Sequence, residues 1–338
     1  MTAWPVVVLG GVAAATALAV ALVHRILVAR AVLDAPNDRS SHTRPTPRGG
    51  GIGVLAILLP AWLALLALDA TPDWRGFLVP AAAFGLALVS WRDDVVGLEA
   101  LPRLLAHIGA AAIGLAALPG PVFQGLLPAW LDAILAVIAW VWFVNLCNFM
   151  DGIDGMAGVE TAALGAGAFA VLTAGGVAAD ILPLQALALG AAALGFLAHN
   201  WQPARLFLGD VGSVPLGFLA GYLLLSLAGH GHWLPALILA LYYLADATLT
   251  LARRALAGEK VWLAHRRHFY QRAVQRGRSH ATVAGAVAGA DLALMALAAL
   301  AAAAGPGVTP TGAACLGAAA LVVAALLGWM ARGQRPAA

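Results

Sequence analysis

Residues 131–175 read LDAILAVIAWVWFVNLCNFMDGIDGMAGVETAALGAGAFAVLTAG. Two apolar runs, 128–147 and 156–175, flank a single polar interruption, and each supplies the roughly 20 residues an α-helix needs to cross a hydrocarbon layer about 30 Å thick. Lipid offers no partner for backbone N–H and C=O groups, so each run reads as a spanning helix. Outward from this pair the pattern repeats, with spans expected near 4–29, 50–69, 76–91, 104–119, 128–147, 156–175, 181–198, 213–229, 233–252, 281–304 and 311–331. The first run has no basic residues ahead of it and carries Arg25 and Arg30 at its far end, which reads as a retained helix and not as a signal peptide. Hydrophobic residues make up 62% of the chain and charged ones 10%, against about 25% in a soluble domain, which excludes a soluble globular protein. The expected fold is an all-α polytopic membrane helix bundle of about 11 helices, with residues 1–338 forming one integral-membrane domain. Alanine and glycine dominate the spans, as close helix packing in lipid requires.

The net charge of +3 is spread over loops, which argues against nucleic acid as a partner. With eleven spans, Arg25, Arg30, Arg39, Arg44, Arg48, Arg92, Arg103, Arg205, Arg253, Arg254, Lys260, Arg266, Arg267, Arg272, Arg276, Arg278, Arg332 and Arg335 share one side. Only Arg75 of the 19 basic residues falls opposite. By the positive-inside rule the N-terminus is predicted outside the inner (plasma) membrane and the C-terminus in the cytoplasm. Cys147 and Cys315 are far apart and show no CxxC spacing, so neither a disulfide framework nor a thiolate metal site is supported.

Five polar segments fall on the basic side. The first, residues 34–53, combines His42, Arg44 and Arg48 with the run Gly49-Gly50-Gly51, whose backbone amides can approach a phosphate; a flexible basic loop is the alternative. The second holds Asp93 and Asp94, adjacent carboxylates that repel unless a cation or shared proton relieves them, followed by Arg103; a magnesium or general-base site competes here with a helix cap or solvated turn. In the third, Asn148, Asp151 and Asp154 lie between two strongly apolar helices, each carboxylate followed by a glycine, where an idle acidic cluster is poorly solvated. The fourth, residues 199–213, brings Asn200, Phe207 and Asp210 together, with Asp210 either a helix cap or a metal ligand. The fifth, residues 253–280, carries His265, Arg266 and His268, suited to pyrophosphate or, alternatively, to lying on anionic lipid. A one-sided acidic and basic face on an apolar bundle points to an enzyme with one soluble and one membrane-embedded substrate. The rival, a secondary transporter or lipid flippase, needs polar groups through the depth of the bilayer. Asp132 and Asp291 are expected to be solvated near interfaces, and Asp246 to support the fifth segment from about two turns away.

Through PTPRGGG, RDDVVGL, NFMDGIDG, HNWQPARLFLGDVGS and HRRHFYQR, in that order, the sequence resembles the polyprenyl-phosphate N-acetylhexosamine-1-phosphate transferase family (glycosyltransferase family 4), which includes O-antigen-priming enzymes and the phospho-muramyl-pentapeptide transferases. The resemblance implies a ten- or eleven-helix bundle with a cytoplasmic active site. It also implies transfer of a sugar-1-phosphate from a UDP-N-acetylhexosamine to undecaprenyl or another polyprenyl phosphate in the lipid bilayer, releasing UMP and initiating cell-envelope glycan synthesis. Mg²⁺ is the implied cofactor, with Mn²⁺ as a substitute, and a homodimer is the usual assembly. Matched by motif, Asp93 deprotonates or orients the lipid phosphate, and Asp94 and Asp210 hold the metal. Asn148, Asp151 and Asp154 line the nucleotide site. Asn200 and Phe207 contact uridine, and His265 and His268, helped by Arg266, hold the donor pyrophosphate, with Arg48 of the first segment as a further substrate-binding residue. There are departures. His107 stands where many members carry glutamine, and arginines separate the two histidines of the fifth segment, which argues for a simple UDP-N-acetylhexosamine over a muramyl-pentapeptide donor.

Overall fold

The computed structural model describes residues 4–34, 45–69, 73–177, 181–261, 263 and 265–332. His42 and Arg44 of the first polar segment, and Arg39 and Arg335 among the charges used for orientation, lie outside the described residues. The helices are α1 (Trp4–Ala29), α2 (Gly51–Ala67), α3 (Leu78–Val96), α4 (Ala100–Gly114), α5 (Ala129–Phe149), α6 (Met156–Ala174), α7 (Leu182–Asn200), α8 (Asp210–Gly229), α9 (Trp233–Leu256), α10 (Phe269–Gln275), α11 (His280–Ala303) and α12 (Pro310–Ala331). Among the described residues, ten helices are long and apolar enough to span a membrane, and α2 adds a shorter apolar helix of 17 residues. The fold is therefore an all-α polytopic membrane bundle, and its apolar helices follow the expected order.

Two boundaries move in a way that matters. Helix α3 continues through Arg92, Asp93 and Asp94 to Val96 and stops at Gly97, which has positive φ, so the adjacent carboxylates sit on the last turn of a helix and not in a loop. Helix α8 begins at Asp210, three residues earlier than expected. Charge had ended both spans in the sequence reading, but the i to i−4 hydrogen-bond ladder tolerates charged side chains at a helix end where they reach polar surroundings. The short α10 and a two-residue antiparallel pairing of Leu33–Asp34 (β1) with Thr46–Pro47 (β2) were not anticipated.

Helix α8 lies at the centre, buried along almost its whole length and packed on α2, α3, α5, α6, α7 and α9. A helix apolar on every face suits a position with neighbours on every side. Trp140 of α5 fixes one of these contacts: its ring stacks on Phe218 at 4.7 Å and its Nε1 donates to the Phe218 carbonyl at 2.9 Å. Helices α6 and α7 meet through small residues, and a Cβ at Gly165 would lie 2.4 Å from the Gly190 nitrogen.

The expectation that Asp132 and Asp291 are solvated is wrong. Both are buried, at 7% and 3% exposure. Asp132 accepts the N–H groups of Val122 and Phe123 at 3.1 and 2.8 Å, closing the turn before α5, and Asp291 lies in the electrostatic neighbourhood of the buried Glu160 of α6. For Asp132, backbone donors inside the protein replace the water that hydropathy alone assigns to such a group.

Because overpacking a closed interface costs about 1–3 kcal/mol, Gly165→Leu is expected to lower the thermal midpoint of the detergent-purified protein by several degrees. Gly317→Leu, on the open face of α12, should leave it unchanged; equal effects in a thermal melt would contradict the packing described.

Candidate active site

The polar segments meet at one end of the bundle, and their meeting point is the N-terminus of α8. The first N–H groups of a helix lack intrahelical partners. Here Asp94, from the end of α3, accepts the N–H groups of Asp210 and Val211 at 3.2 and 2.9 Å. The capping role that the sequence offered to Asp210 thus belongs to Asp94, and Asp210 is left with its carboxylate directed at cations. Arg48 reaches both carboxylates through one nitrogen, with Nη2 at 2.8 Å from Asp94 Oδ1 and 2.6 Å from Asp210 Oδ1. Burial disfavours the Arg48 charge, but Asp210 and Asp94 outweigh it and raise its pKa.

Backbone geometry holds Arg48 there. The Phe207 carbonyl accepts the Gly49 and Gly50 N–H groups at 3.1 and 2.8 Å, the Leu208 carbonyl accepts Gly51 N–H at 2.9 Å, and Phe207 N–H donates to the Pro47 carbonyl at 2.9 Å. Gly51 is forced by this approach, because a Cβ there would sit 2.2 Å from the Gly212 Cα. The glycine run of the first segment therefore packs on the GDVG turn of the fourth, and the Phe207 ring is half-buried beside it.

Asp93 occupies the other side of the cluster. Its Oδ1 accepts Leu98 N–H at 2.6 Å and its Oδ2 pairs with Arg103 Nη1 at 2.9 Å, while the same Arg103 nitrogen lies 3.9 Å from Asp210 Oδ2. Asn148 donates to Ser213 Oγ at 3.0 Å, tying the third segment to α8. Asp151 is half-buried in the field of Arg48, Asp210, Asp94 and Asp154; burial, reinforced by these carboxylates against the pull of Arg48, pushes its carboxyl well above the usual range. Asp93, Arg103, Asn148 and Asp210 line a cavity of about 180 Å³, shared with His107, Asn145 and Phe149.

Asp154 and Asn200 lie one layer behind. Asp154 accepts Ala204 N–H at 3.0 Å and faces His280 Nδ1 at 3.2 Å. Asn200, 2% exposed, accepts Gly155 N–H at 2.9 Å and donates to the Leu206 carbonyl at 2.9 Å. Both side chains hold the third and fourth segments together.

The fifth segment is folded around Asp246. This fully buried carboxylate of α9 accepts Phe269 and Tyr270 N–H at 2.8 and 3.2 Å and lies 3.4 Å from His268 Nδ1, so it fixes the start of α10. Its expected support of the fifth segment takes this form. His265 stacks on His268 at 4.7 Å between ring centres. Burial, with nearby His268, Arg254 and Arg267, lowers the His265 pKa to about 4, so its ring is neutral at physiological pH. Arg266 is half-buried in the same turn, and its carbonyl accepts from Gln275. Tyr270 joins the segment to the carboxylate cluster by donating to the Phe149 carbonyl at 3.0 Å and packing against Gly152. Tyr270 has no role in the sequence reading, although it stands within the HRRHFYQR motif, and Ser213, which that reading places beside Asp210 at a helix start, serves here as the acceptor for Asn148.

Among the described residues no group of three or more His, Cys, Asp or Glu side chains is set around one metal position. The chemistry of the donor set nevertheless suits a hard divalent cation: carboxylate oxygens of Asp94 and Asp210 converge on a point held by a cationic nitrogen, with Asp151 in the same electrostatic neighbourhood.

Residues 76–228 match the family profile described as "Glycosyl transferase family 4". A Bacillus subtilis protein named "Probable undecaprenyl-phosphate N-acetylglucosaminyl 1-phosphate transferase" is 29% identical over 77% of this chain and 74% of its own length. A "Decaprenyl-phosphate N-acetylglucosaminephosphotransferase" of Mycolicibacterium smegmatis is 30% identical over 72% of this chain and 69% of its own. A "Phospho-N-acetylmuramoyl-pentapeptide-transferase" of Oceanobacillus iheyensis is 28% identical over 54% and 62%.

If Asp246 builds the fifth segment, Asp246→Ala should accelerate amide hydrogen exchange in residues 268–276 by about tenfold or more, the loss expected for bonds to a charged acceptor. Asp246→Asn, which keeps one acceptor, should fall between. Exchange unchanged in both variants would remove Asp246 from this role.

Proposed function

The chain belongs to glycosyl transferase family 4, and from that premise we propose that it transfers an N-acetylhexosamine-1-phosphate from a UDP-sugar to a polyprenyl phosphate, undecaprenyl phosphate in particular, at the cytoplasmic face of the inner membrane. The observation that carries this reading is a junction. An apolar groove of about 1010 Å³ runs along α4, α5 and α9 past Ile108, Ile134, Ile138 and Trp142, and it shares Leu104, Asn145 and Phe149 with the polar cavity of Asp93, Arg103 and Asp210. A long hydrocarbon chain fits the first and phosphate chemistry the second. A transporter would instead need polar groups along a path through the bundle.

The reaction joins an acceptor phosphate oxygen to the sugar-bearing β-phosphorus of the donor. The bond from that phosphorus to the bridging oxygen breaks, and UMP leaves with the electron pair. Such transfers depend mainly on positioning and on neutralising charge. Arg103, oriented by Asp93, faces the acceptor phosphate. Arg48, exchanging carboxylate for diphosphate, and His265, neutral at physiological pH, with His268 and Arg266, bind the pyrophosphate. Phe207 offers uracil a stacking face, and Asn148 with Asp151 lines the nucleotide side, while Asp154 and Asn200 hold the turns that carry it. Asp94 and Asp210 would hold Mg²⁺, or Mn²⁺, which when bound supplies positive charge to the donor diphosphate. A polyprenyl phosphate is already an adequate nucleophile, so direct attack is favoured over a covalent intermediate. The separated histidines favour a UDP-N-acetylhexosamine without a peptide. The whole chain, as one domain and as a homodimer, is the proposed working unit, with its N-terminus outside and its C-terminus cytoplasmic.

The purified protein is expected to release UMP from a UDP-N-acetylhexosamine only when both undecaprenyl phosphate and a divalent ion are added, and EDTA should stop release until Mg²⁺ or Mn²⁺ is restored. Asp93→Asn and Asp210→Asn should each cut kcat/KM by about 10²-fold or more while inserting normally. UMP release without acceptor lipid, or full activity in both variants, would refute the proposal.

A further inference from the structure

Helix α4 presents two stripes. Leu104, Ile108 and Ala112, spaced four apart, line the apolar groove, whereas Ala100, Arg103, Leu104 and His107 line the polar cavity. Residues three and four apart share a helical face, so a lipid chain lying on the first stripe brings its headgroup to the second. The two cationic or donor-bearing side chains there are in different states. Arg103 already pairs with Asp93 at 2.9 Å. His107 is 7% exposed, its Nδ1 is buried, and that atom has no hydrogen-bond partner among the described residues.

A buried polar atom without a partner calls for an explanation, and a ligand that completes the site is one. No hydrogen bond to either ring nitrogen is found among the described residues, because the carboxylates that border the cavity are engaged elsewhere, Asp93 by Leu98 N–H and Arg103 and Asp210 by Arg48. With the proton on Nε2, the donor of the ring therefore stays unmet until an anion enters. The groove brings in a lipid, and the anion attached to it is a phosphate.

We propose that His107 binds the phosphate of the polyprenyl acceptor, donating from its imidazole to a phosphoryl oxygen and holding the headgroup beside Arg103. This rests on the transferase reading above and adds to it a positioning residue on the acceptor side only. Glutamine at the same place would present an amide N–H at similar reach, which makes it the conservative replacement.

The test uses the full-length protein in detergent, with His107→Ala and His107→Gln. His107→Ala should raise KM for undecaprenyl phosphate about tenfold, the scale of one hydrogen bond to a charged group, with KM for the UDP-sugar within about twofold. His107→Gln should recover most of the loss. In a separate melt without donor, undecaprenyl phosphate should stabilise the wild-type protein more than undecaprenol does, and His107→Ala should abolish that difference. If His107→Ala fails to accumulate, His107→Phe fills the space without a donor and gives the same comparison. An acceptor KM that does not move, a donor KM that rises equally, or a His107→Gln variant as impaired as His107→Ala would overturn the inference. Because the melt needs no turnover, His107-dependent phosphate binding without UMP release would sink the transferase reading alone. UMP release with an acceptor KM indifferent to His107 would sink this inference alone.

Discussion

One carboxylate, Asp94, holds the reaction end of the bundle together. Helix α8 starts inside the protein, where its first N–H groups have no water to meet, and Asp94 accepts two of them from the last turn of α3. Negative charge at a helix N-terminus is favourable, and Arg48 offsets it from the other side at 2.8 Å. Three segments far apart in sequence are thereby fixed relative to each other by one side chain. The same bonds make Asp94 an ambiguous target for mutagenesis, since its loss would expose the start of the central helix as well as alter the charge of the site. Asp93 and Asp210 carry no such double duty at the helix start.

That distinction sorts the polar residues of the whole molecule. Asp132, Asp154, Asn200 and Asp246 are buried, and each has its side chain engaged by backbone N–H groups of a loop. Asp93, Arg103, Asn148 and Asp210 border a cavity instead. Of the first set, Asp154 and Asn200 tie together the third and fourth segments beside the cavity, Asp246 fixes the start of α10, and Asp132 closes a turn at the opposite end of α5. A bundle whose helices are held by small-residue packing has little else with which to order loops at its surface, so carboxylates acting on backbone donors do the work that a hydrophobic core does in a soluble protein.

The spans were legible because a hydrocarbon slab imposes a length and a composition that few other structures share. The polar segments were legible as motifs, and they do converge. What the sequence could not disclose was direction: Asp94 and Asp210 both looked like potential caps or ligands and Asp246 like a support of the fifth segment, and only the fold shows that Asp94 caps the helix on which Asp210 sits, while Asp246 caps a helix 23 residues further on. Helix α10 was invisible for the same reason, since seven residues are too few to be stable alone and its start depends on a carboxylate from another helix. Asp291 was placed at an interface because nothing in its own apolar run showed that it sits buried in α11, in the electrostatic neighbourhood of Glu160.

Charge balance sets the terms for the proposed reaction. The cluster gathers four carboxylates, Asp93, Asp94, Asp151 and Asp210, around two guanidinium groups, Arg48 and Arg103, and burial pushes the Asp151 carboxyl toward its neutral form. Both substrates are anions, so they would enter a site that stays net negative even with Asp151 neutral, three carboxylates facing two guanidinium groups, in surroundings where screening is weak. Arg48 cannot leave Asp94 and Asp210 for a diphosphate without stranding two carboxylates, a costly exchange inside a protein. Asp94 and Asp210 would hold a divalent cation, whose positive charge would offset theirs once Arg48 turned to the donor. The proposed metal and the proposed role of Arg48 therefore stand together: each makes the other energetically reasonable, and neither works alone.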